Sequence, residues 1–248
     1  MVLTRFHRVA VCDDDGMDVI DLLERPLYGM SQTDRILLLP AGTTRRWVDG
    51  YRRGDAVYPP VIRPTSTGDE TVTWGEFVET RLLAGFRARG VPMVRLRPAI
   101  ERLREHFGTR YPLAHAKPFI AGRELVLAVQ EDVGLDRQLC LVVVRTGQRM
   151  LNLSGPAEAF FRSTEFTDGE DGVARLIRPL PDVADVVIDP LRGFGEPVVR
   201  NVPTEVIAEQ VRAGDPPEMV ADLYELSPTQ VNAAIRYELS RRTADSAA

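Results

Sequence analysis

Between Thr73 and Phe107 apolar residues return every three or four positions: Trp74, Phe77, Val78, Leu82, Leu83 and Phe86, then Leu96, Ile100, Leu103 and Phe107. That period predicts two amphipathic helices, stopped by Gly90 and Gly108. Ahead of them the pattern is shorter and more broken. Ser31 is placed to cap a short helix carrying Ile36 and Leu37, and Pro40 and Gly42 interrupt it. Thr43 or Thr44 then opens a second helix, running through Trp47, Val48 and Tyr51 and ended by Gly54. Val57 to Arg63, followed by the turn TSTGDE, reads as an extended, wing-like segment. The order is helix, tight turn, helix and wing, with the two longer helices supplying the core that so short a unit lacks.

The pattern then changes. RELVLAVQ and LCLVVVRTGQRMLNL are rich in aliphatic and β-branched residues, predicting strands near 124–130 and 140–153. GPAEAFF allows a short helix before a polar loop, VADVVIDP reads as another strand, and the Pro- and Gly-bearing stretch after it suggests a boundary near Pro190. Beyond that, Val206, Ile207 and Val211 mark a helix closed by Gly214. Asp215, Pro216 and Glu218 start a second helix, and Ser227, Pro228 and Gln230 start a third with Val231, Ile235 and Leu239 as its stripe. The expected fold class is α+β, mainly helical. Its parts are an acidic extension (1–26), a winged helix-turn-helix domain (27–112), a middle region with a small sheet (113–189), a three-helix, helix-turn-helix-like domain (190–242) and a tail (243–248).

Composition narrows the function. At 248 residues and 44% hydrophobic the chain can bury a core, and no apolar run approaches the roughly 18 residues of a membrane span, so a cytoplasmic protein is expected. The net charge of −5 hides a segregation by sign. Asp13, Asp14, Asp15, Asp18, Asp21 and Glu24 make the start acidic, as a solvated turn or tail. Arg81, Arg87, Arg89, Arg95, Arg97, Arg102, Arg104 and Arg110 face only Glu101 and Glu105. Glu205, Glu209, Asp215, Glu218, Asp222 and Glu225 face only Arg212. Cys12 and Cys140 lack metal or disulfide spacing, and His7, His106 and His115 form no ligand set. No nucleophile motif, phosphate loop or dinucleotide fingerprint is present, so no enzyme, cofactor or metal is expected.

The candidate chemistry is therefore recognition of a polyanion. If Thr43 to Tyr51 is a recognition helix, Arg45 and Arg46 suit bidentate contacts to guanine in the major groove, and Thr43 and Thr44 either bond phosphates or cap the helix. Trp47 and Tyr51 share the face turned to the core. Arg52, Arg53 and Arg63 flank the wing as phosphate contacts. Neutralising about six phosphates implies a log–log salt slope of about −5. The arginines of 87–104 either extend that footprint or form a solvated face. The acidic C-terminal helices would repel phosphate, which points to a protein partner or a dimer interface there.

The run LYGMSQTDRILLLPAGTTRRWVDGY, with YPPVIRPTSTGDETVTWGEFVETRLLAGFRARGVPMVRLRPAIERLREHFGTRYPLAH after it, resembles the MerR-like DNA-binding domain of VapB-type antitoxins. The tail FGEPVVRNVPTEVIAEQVRAGDPPEMVADLYELSPTQVNAAIRYEL is similar to the small helical domain that accompanies it. Gly195, Pro197 and Arg200 fit that domain's opening motif, whereas Asn201 and Val202 stand where a Gly-Thr-like pair is often seen. The resemblance spans about residues 22–240. It implies a homodimeric antitoxin of a bacterial type II toxin-antitoxin system, binding double-stranded operator DNA and a PIN-domain ribonuclease toxin. Arg236, Arg241 and Arg242 would then reach the toxin's acidic metal site, unless they only complement their helix dipole. A MerR-like, ligand-responsive regulator without a toxin is the alternative, with the middle region as its effector pocket. An enzyme centred there is a third reading that no constellation of residues supports.

Overall fold

In the computed structural model, residues 19–89, 95–135, 140–144, 151–169, 171–180 and 182–245 are described. Helix α1 (Val19–Glu24) leads into strand β1 (Pro26–Gly29), which pairs antiparallel with β4 (Thr71–Thr73), setting Tyr28 opposite Val72. Leu22 and Leu23 are buried, so the chain joins the core before position 26 rather than after it; the aspartates at 13–18 lie outside the described residues. Between β1 and β4 come α2 (Met30–Leu37), α3 (Thr43–Val48) and a hairpin of β2 (Tyr51–Arg53) and β3 (Ala56–Tyr58).

Helix α4 (Trp74–Arg87) is the axis of the molecule. Thr73 caps it, accepting from the Glu76 amide at 3.3 Å while Glu76 accepts from the Thr73 amide at 3.1 Å. Trp74, Phe77, Val78, Leu82, Leu83 and Phe86 are all within 1% of full burial. The expected stop at Gly90 lies outside the described residues, and Gly108 does end α5 (Arg97–Phe107), in the left-handed conformation.

The segment expected as a strand at 124–130 is instead helix α6 (Arg123–Asp132). Its buried residues are Val126, Val129 and Gln130, spaced three and four apart, so the helical period prevails over the aliphatic composition. Gln130 also substitutes for a strand edge. Its carbonyl accepts from the amides of Leu141 and Val142 at 2.7 and 3.1 Å, and its amide donates to the Val142 carbonyl at 3.0 Å. The expected strand at 140–153 is a pair, β5 (Val142–Val144) and β6 (Leu151–Leu153), whose connection falls outside the described residues.

After α7 (Gly155–Ser163), an antiparallel sheet runs in the order β11-β10-β9-β8-β7: Thr164–Phe166 (β7), Ala174–Ile177 (β8), Val186–Ile188 (β9), Pro197–Val199 (β10) and Val202–Pro203 (β11). Three helices follow, α8 (Thr204–Ala213), α9 (Pro217–Leu223) and α10 (Pro228–Asp245).

This sheet corrects both expected boundaries. Val186–Ile188 pairs with Pro197–Val199, so Pro190 lies in a turn between bonded strands. A single apolar cluster extends from Leu22 to Ile188, joining Trp74 and Phe77 to Phe119, Phe160 and Ile177, so the middle region shares its core with the front. A second cluster begins at Val183 and holds Val186, Val199, Ile207, Val220, Val231 and Tyr237 under the last three helices.

Candidate nucleic-acid interface

Helices α2 and α3 are locked together by one carboxylate. Asp34 is buried, and accepts from the Gly42 amide at 2.7 Å, the Thr44 amide at 2.8 Å and the Thr44 hydroxyl at 2.6 Å. It thus caps α3 from the neighbouring helix, occupying amides that the first turn cannot satisfy itself. Ser31 is not the cap of α2: Gly29 holds that position, donating its amide to Gln32 Oε1 at 3.3 Å.

This arrangement divides the residues of α3. Thr43 and Thr44 are buried, Thr44 against Asp34 and Thr43 accepting from Arg46 Nη2 at 2.9 Å, so neither hydroxyl faces a phosphate. Trp47 and Val48 are buried too, and the Trp47 carbonyl accepts from the amides of Val61 and Ile62 at 2.8 and 2.9 Å. Arg45 and Arg46 are left on the exposed side. Arg45 pairs with Glu70.

The helix stops at Val48 rather than continuing through Tyr51. Gly50, at φ +77°, turns the chain so tightly that a Cβ there would lie 2.6 Å from the Tyr58 carbonyl oxygen. Tyr51 therefore opens the hairpin. It lies opposite Tyr58, and the two exposed rings stack at 4.5 Å and 4°. Arg52 and Arg53 point from the same strand into solvent, and every residue from 51 to 59 is exposed. The exposed hairpin is thus Tyr51–Tyr58, earlier in the chain than the Val57–Arg63 stretch expected to be extended.

Arg63 belongs to the interior. It is 4% exposed, and its guanidinium donates to Glu76 at 2.8 and 3.1 Å, to Asp49 at 3.3 Å, to Thr67 Oγ1 at 2.7 Å and to the carbonyls of Asp69 and Thr71 at 2.9 and 2.6 Å. Burial works to lower its pKa, but hydrogen bonds and charge from Glu76 and Asp49 outweigh that and raise it. Asp49 also accepts from the amides of Thr67 and Gly68 at 2.7 and 3.1 Å, fixing the loop before β4. Burial acts to raise the Asp49 pKa; those amides, Ser66 and Arg63 more than offset it and hold the carboxyl low. Removing one partner of such a buried pair costs about 3–5 kcal/mol, so Arg63 ties the end of α3 and the loop before β4 to α4 and is no phosphate contact.

The arginine array is largely committed to protein as well. Arg104 donates to the carbonyls of Ile62 and Arg110, Arg110 pairs with Glu24 at 2.9 Å, Arg97 with Glu101 at 2.6 Å and Arg102 with Asp132 at 3.2 Å. Arg81 donates to Ser163 Oγ at 3.0 Å. On α3 and the hairpin the exposed cations are Arg45, Arg46, Arg52 and Arg53, flanked by the Tyr51–Tyr58 stack; Arg87 and Arg89, at the end of α4, are exposed as well.

Of the C-terminal arginines, Arg236 and Arg242 are exposed, whereas Arg241 turns inward. It donates to the Arg35 carbonyl at 2.7 Å and lies over the Tyr237 ring at 5.5 Å, with its side chain only 12% exposed. It joins α10 to α2 and is not available as a toxin contact. The same seam contains Arg35 against Glu196 at 2.5 Å, Gln32 against Glu196 at 2.6 Å, and the Tyr28 hydroxyl donating to the Gly195 carbonyl at 2.8 Å. Asp34, Gly50 and Glu196 were not singled out by sequence pattern; an Asp eight residues before a Gly at a helix junction was the available signal for the first.

Among the described residues no cluster of three metal-ligating side chains occurs, and no helix is long and apolar enough to cross a membrane. Cys140 is a buried free thiol, and Cys12 lies outside the described residues. A cavity bounded by Leu83, Ile100, Leu103, Leu113, Gln130 and Leu141 measures about 10 Å³, too small for an effector.

Comparison with known proteins agrees with this division. Residues 26–100 match the family described as "Putative DNA-binding HTH domain", and residues 186–237 match "Protein of unknown function (DUF433)". The second match begins with β9, where the sheet enters the C-terminal cluster. The Mycobacterium tuberculosis protein Rv2308 is 42% identical over 237 residues, covering 92% of this chain and 96% of its own. From the same organism, "Putative antitoxin VapB45" is 33% identical over 227 residues, covering 85% and 92%. The crystal structure of Rv2018 from M. tuberculosis superposes with a TM-score of 0.66 at 32% identity, over 85% of this chain and 97% of that one. The chain therefore belongs to the family of Rv2308 and VapB45, and it carries a DNA-binding helix-turn-helix match over residues 26–100 and a DUF433 match over residues 186–237.

Proposed function

We propose that this protein is a DNA-binding antitoxin of a type II system. Its helix-turn-helix unit, of the winged, MerR-like kind, binds the operator of its own operon as a homodimer, and its C-terminal unit engages and neutralises a PIN-domain ribonuclease encoded alongside. It performs no catalysis of its own. The observation that carries the reading is the exposed set Arg45, Arg46, Arg52 and Arg53, presented by α3 and its wing with the structural work of the helix assigned to Thr43, Thr44, Trp47 and Val48. The kinship to a protein named as an antitoxin supports the second half.

In this reading Arg45 and Arg46 meet base edges in the major groove, Arg52 and Arg53 bind phosphate, and the dimer reads half-sites about one helical turn, roughly 34–36 Å, apart. Arg45 must leave Glu70 to do so, which makes binding an exchange of one anion for another. The test is co-expression with the adjacent toxin gene together with promoter binding. The wild type is expected to restore growth, and Arg45→Ala with Arg46→Ala to weaken promoter binding while growth is still restored. A wild-type protein that neither restores growth nor co-purifies with the toxin would refute the antitoxin role.

A further inference from the structure

Within the DUF433 unit, α9 brings exposed apolar and acidic side chains together. Helix α9 buries Val220 and Ala221 and turns Met219 and Leu223, one turn apart, outward at 61% and 63% exposure. Glu218 and Asp222 are exposed beside them on the same short helix, and Asp215 and Glu225 stand at its two ends. None of these four carboxylates has an ion pair among the described residues. The nearby cations are occupied: Arg212 lies 3.9 Å from Glu209, and Arg200 donates to the Glu225 carbonyl at 2.8 Å. Exposed carboxylates without an ion pair occur elsewhere among the described residues too, as at Asp55, Glu105 and Glu124; on α9 they stand beside two exposed apolar side chains.

We infer that the outer face of α9 is a protein-docking surface, with Met219 and Leu223 as apolar anchors and the carboxylates as a rim that selects a cationic partner. Anchors of this kind dominate interface energy when a partner pocket excludes water from them, while rim charges set orientation and the rate of encounter. Nucleic acid is repelled by the rim. A second copy offering the same face across a twofold axis would set carboxylate against carboxylate, so an isologous dimer is disfavoured here as well. The occupant is a different protein, presenting Lys or Arg around an apolar pocket. The inference rests on the antitoxin reading, and under it the occupant is the toxin.

The experiment uses the full chain co-expressed with the product of the adjacent toxin gene, and measures toxin affinity, promoter binding and solution mass. Met219→Arg with Leu223→Arg is expected to weaken toxin binding roughly tenfold or more, leaving promoter binding and mass unchanged. Glu218→Lys with Asp222→Lys, confined to exposed side chains, is expected to slow association and flatten its salt dependence. Toxin binding by both variants at wild-type strength would overturn the surface and leave the antitoxin role standing. A wild-type chain that binds no toxin would overturn both. Should the Met219/Leu223 variant lower the solution mass, the face joins copies of this chain and the inference fails. If that variant loses promoter binding through misfolding, the Glu218/Asp222 variant decides the matter alone.

Discussion

Glu79 has the least comfortable environment of any carboxylate described. It is fully buried on α4; Oε1 accepts from the Leu113 amide at 3.0 Å, and Oε2 has no hydrogen-bond partner. Burial raises its pKa from 4.5 to about 7, against the opposing pull of Arg104, 3.9 Å away, and the Leu113 amide. A raised folded-state pKa means that the folded protein holds a proton the unfolded chain releases. The associated stability is fully present below pH 4.5 and is lost as the pH rises through about 7. The loss amounts to about 3 kcal/mol over that window. Glu79→Gln should remove most of it, which urea unfolding of both proteins at pH 5 and pH 8 will show. Parallel pH dependence in the two would mean that Glu79 is ionised and solvated in the native state.

At the scale of elements, the β2–β3 hairpin makes a quantitative claim. With Arg63 internal, the α3 threonines buried and Arg45 and Arg46 assigned to base edges, Arg52 and Arg53 remain to neutralise phosphate, so the salt slope per bound unit should be about −1.8 rather than −5. Arg52→Ala with Arg53→Ala should remove most of it and weaken specific and random DNA alike. Fluorescence anisotropy across a salt series measures both, and an unchanged slope would remove the hairpin from the interface. The existence of this element was legible in the sequence, its position less so. Gly50 stops α3 through a close approach to the Tyr58 carbonyl, a contact across the hairpin that no local pattern records, and so Tyr51 read as helical. Likewise Arg63 read as a surface cation because its partners, Asp49 and Glu76, lie 14 and 13 residues away. The long period through α4 and α5 was plain because many residues repeat it. In α6 the same period was masked by aliphatic residues that also suit a strand.

For the molecule as a whole, the sheet from β7 to β11 and the seam between α2 and the C-terminal helices make separate unfolding of the two ends costly. One cooperative calorimetric transition is therefore expected. Tyr28→Phe leaves the Gly195 carbonyl without its donor inside the seam, and should destabilise the entire chain by about 1–3 kcal/mol without splitting that transition. Two resolved transitions in the wild type would show that the seam contributes little. The segregation of roles within α3 has a consequence for ancestry. Its inward residues, Thr43, Thr44, Trp47 and Val48, answer to Asp34 and the core, whereas Arg45 and Arg46 are exposed and meet only Glu70, itself exposed, and Thr43. Duplicated genes can therefore diverge at those two positions with little loss of stability, so that sister proteins in one cell acquire different surfaces on a common frame and remain insulated from one another.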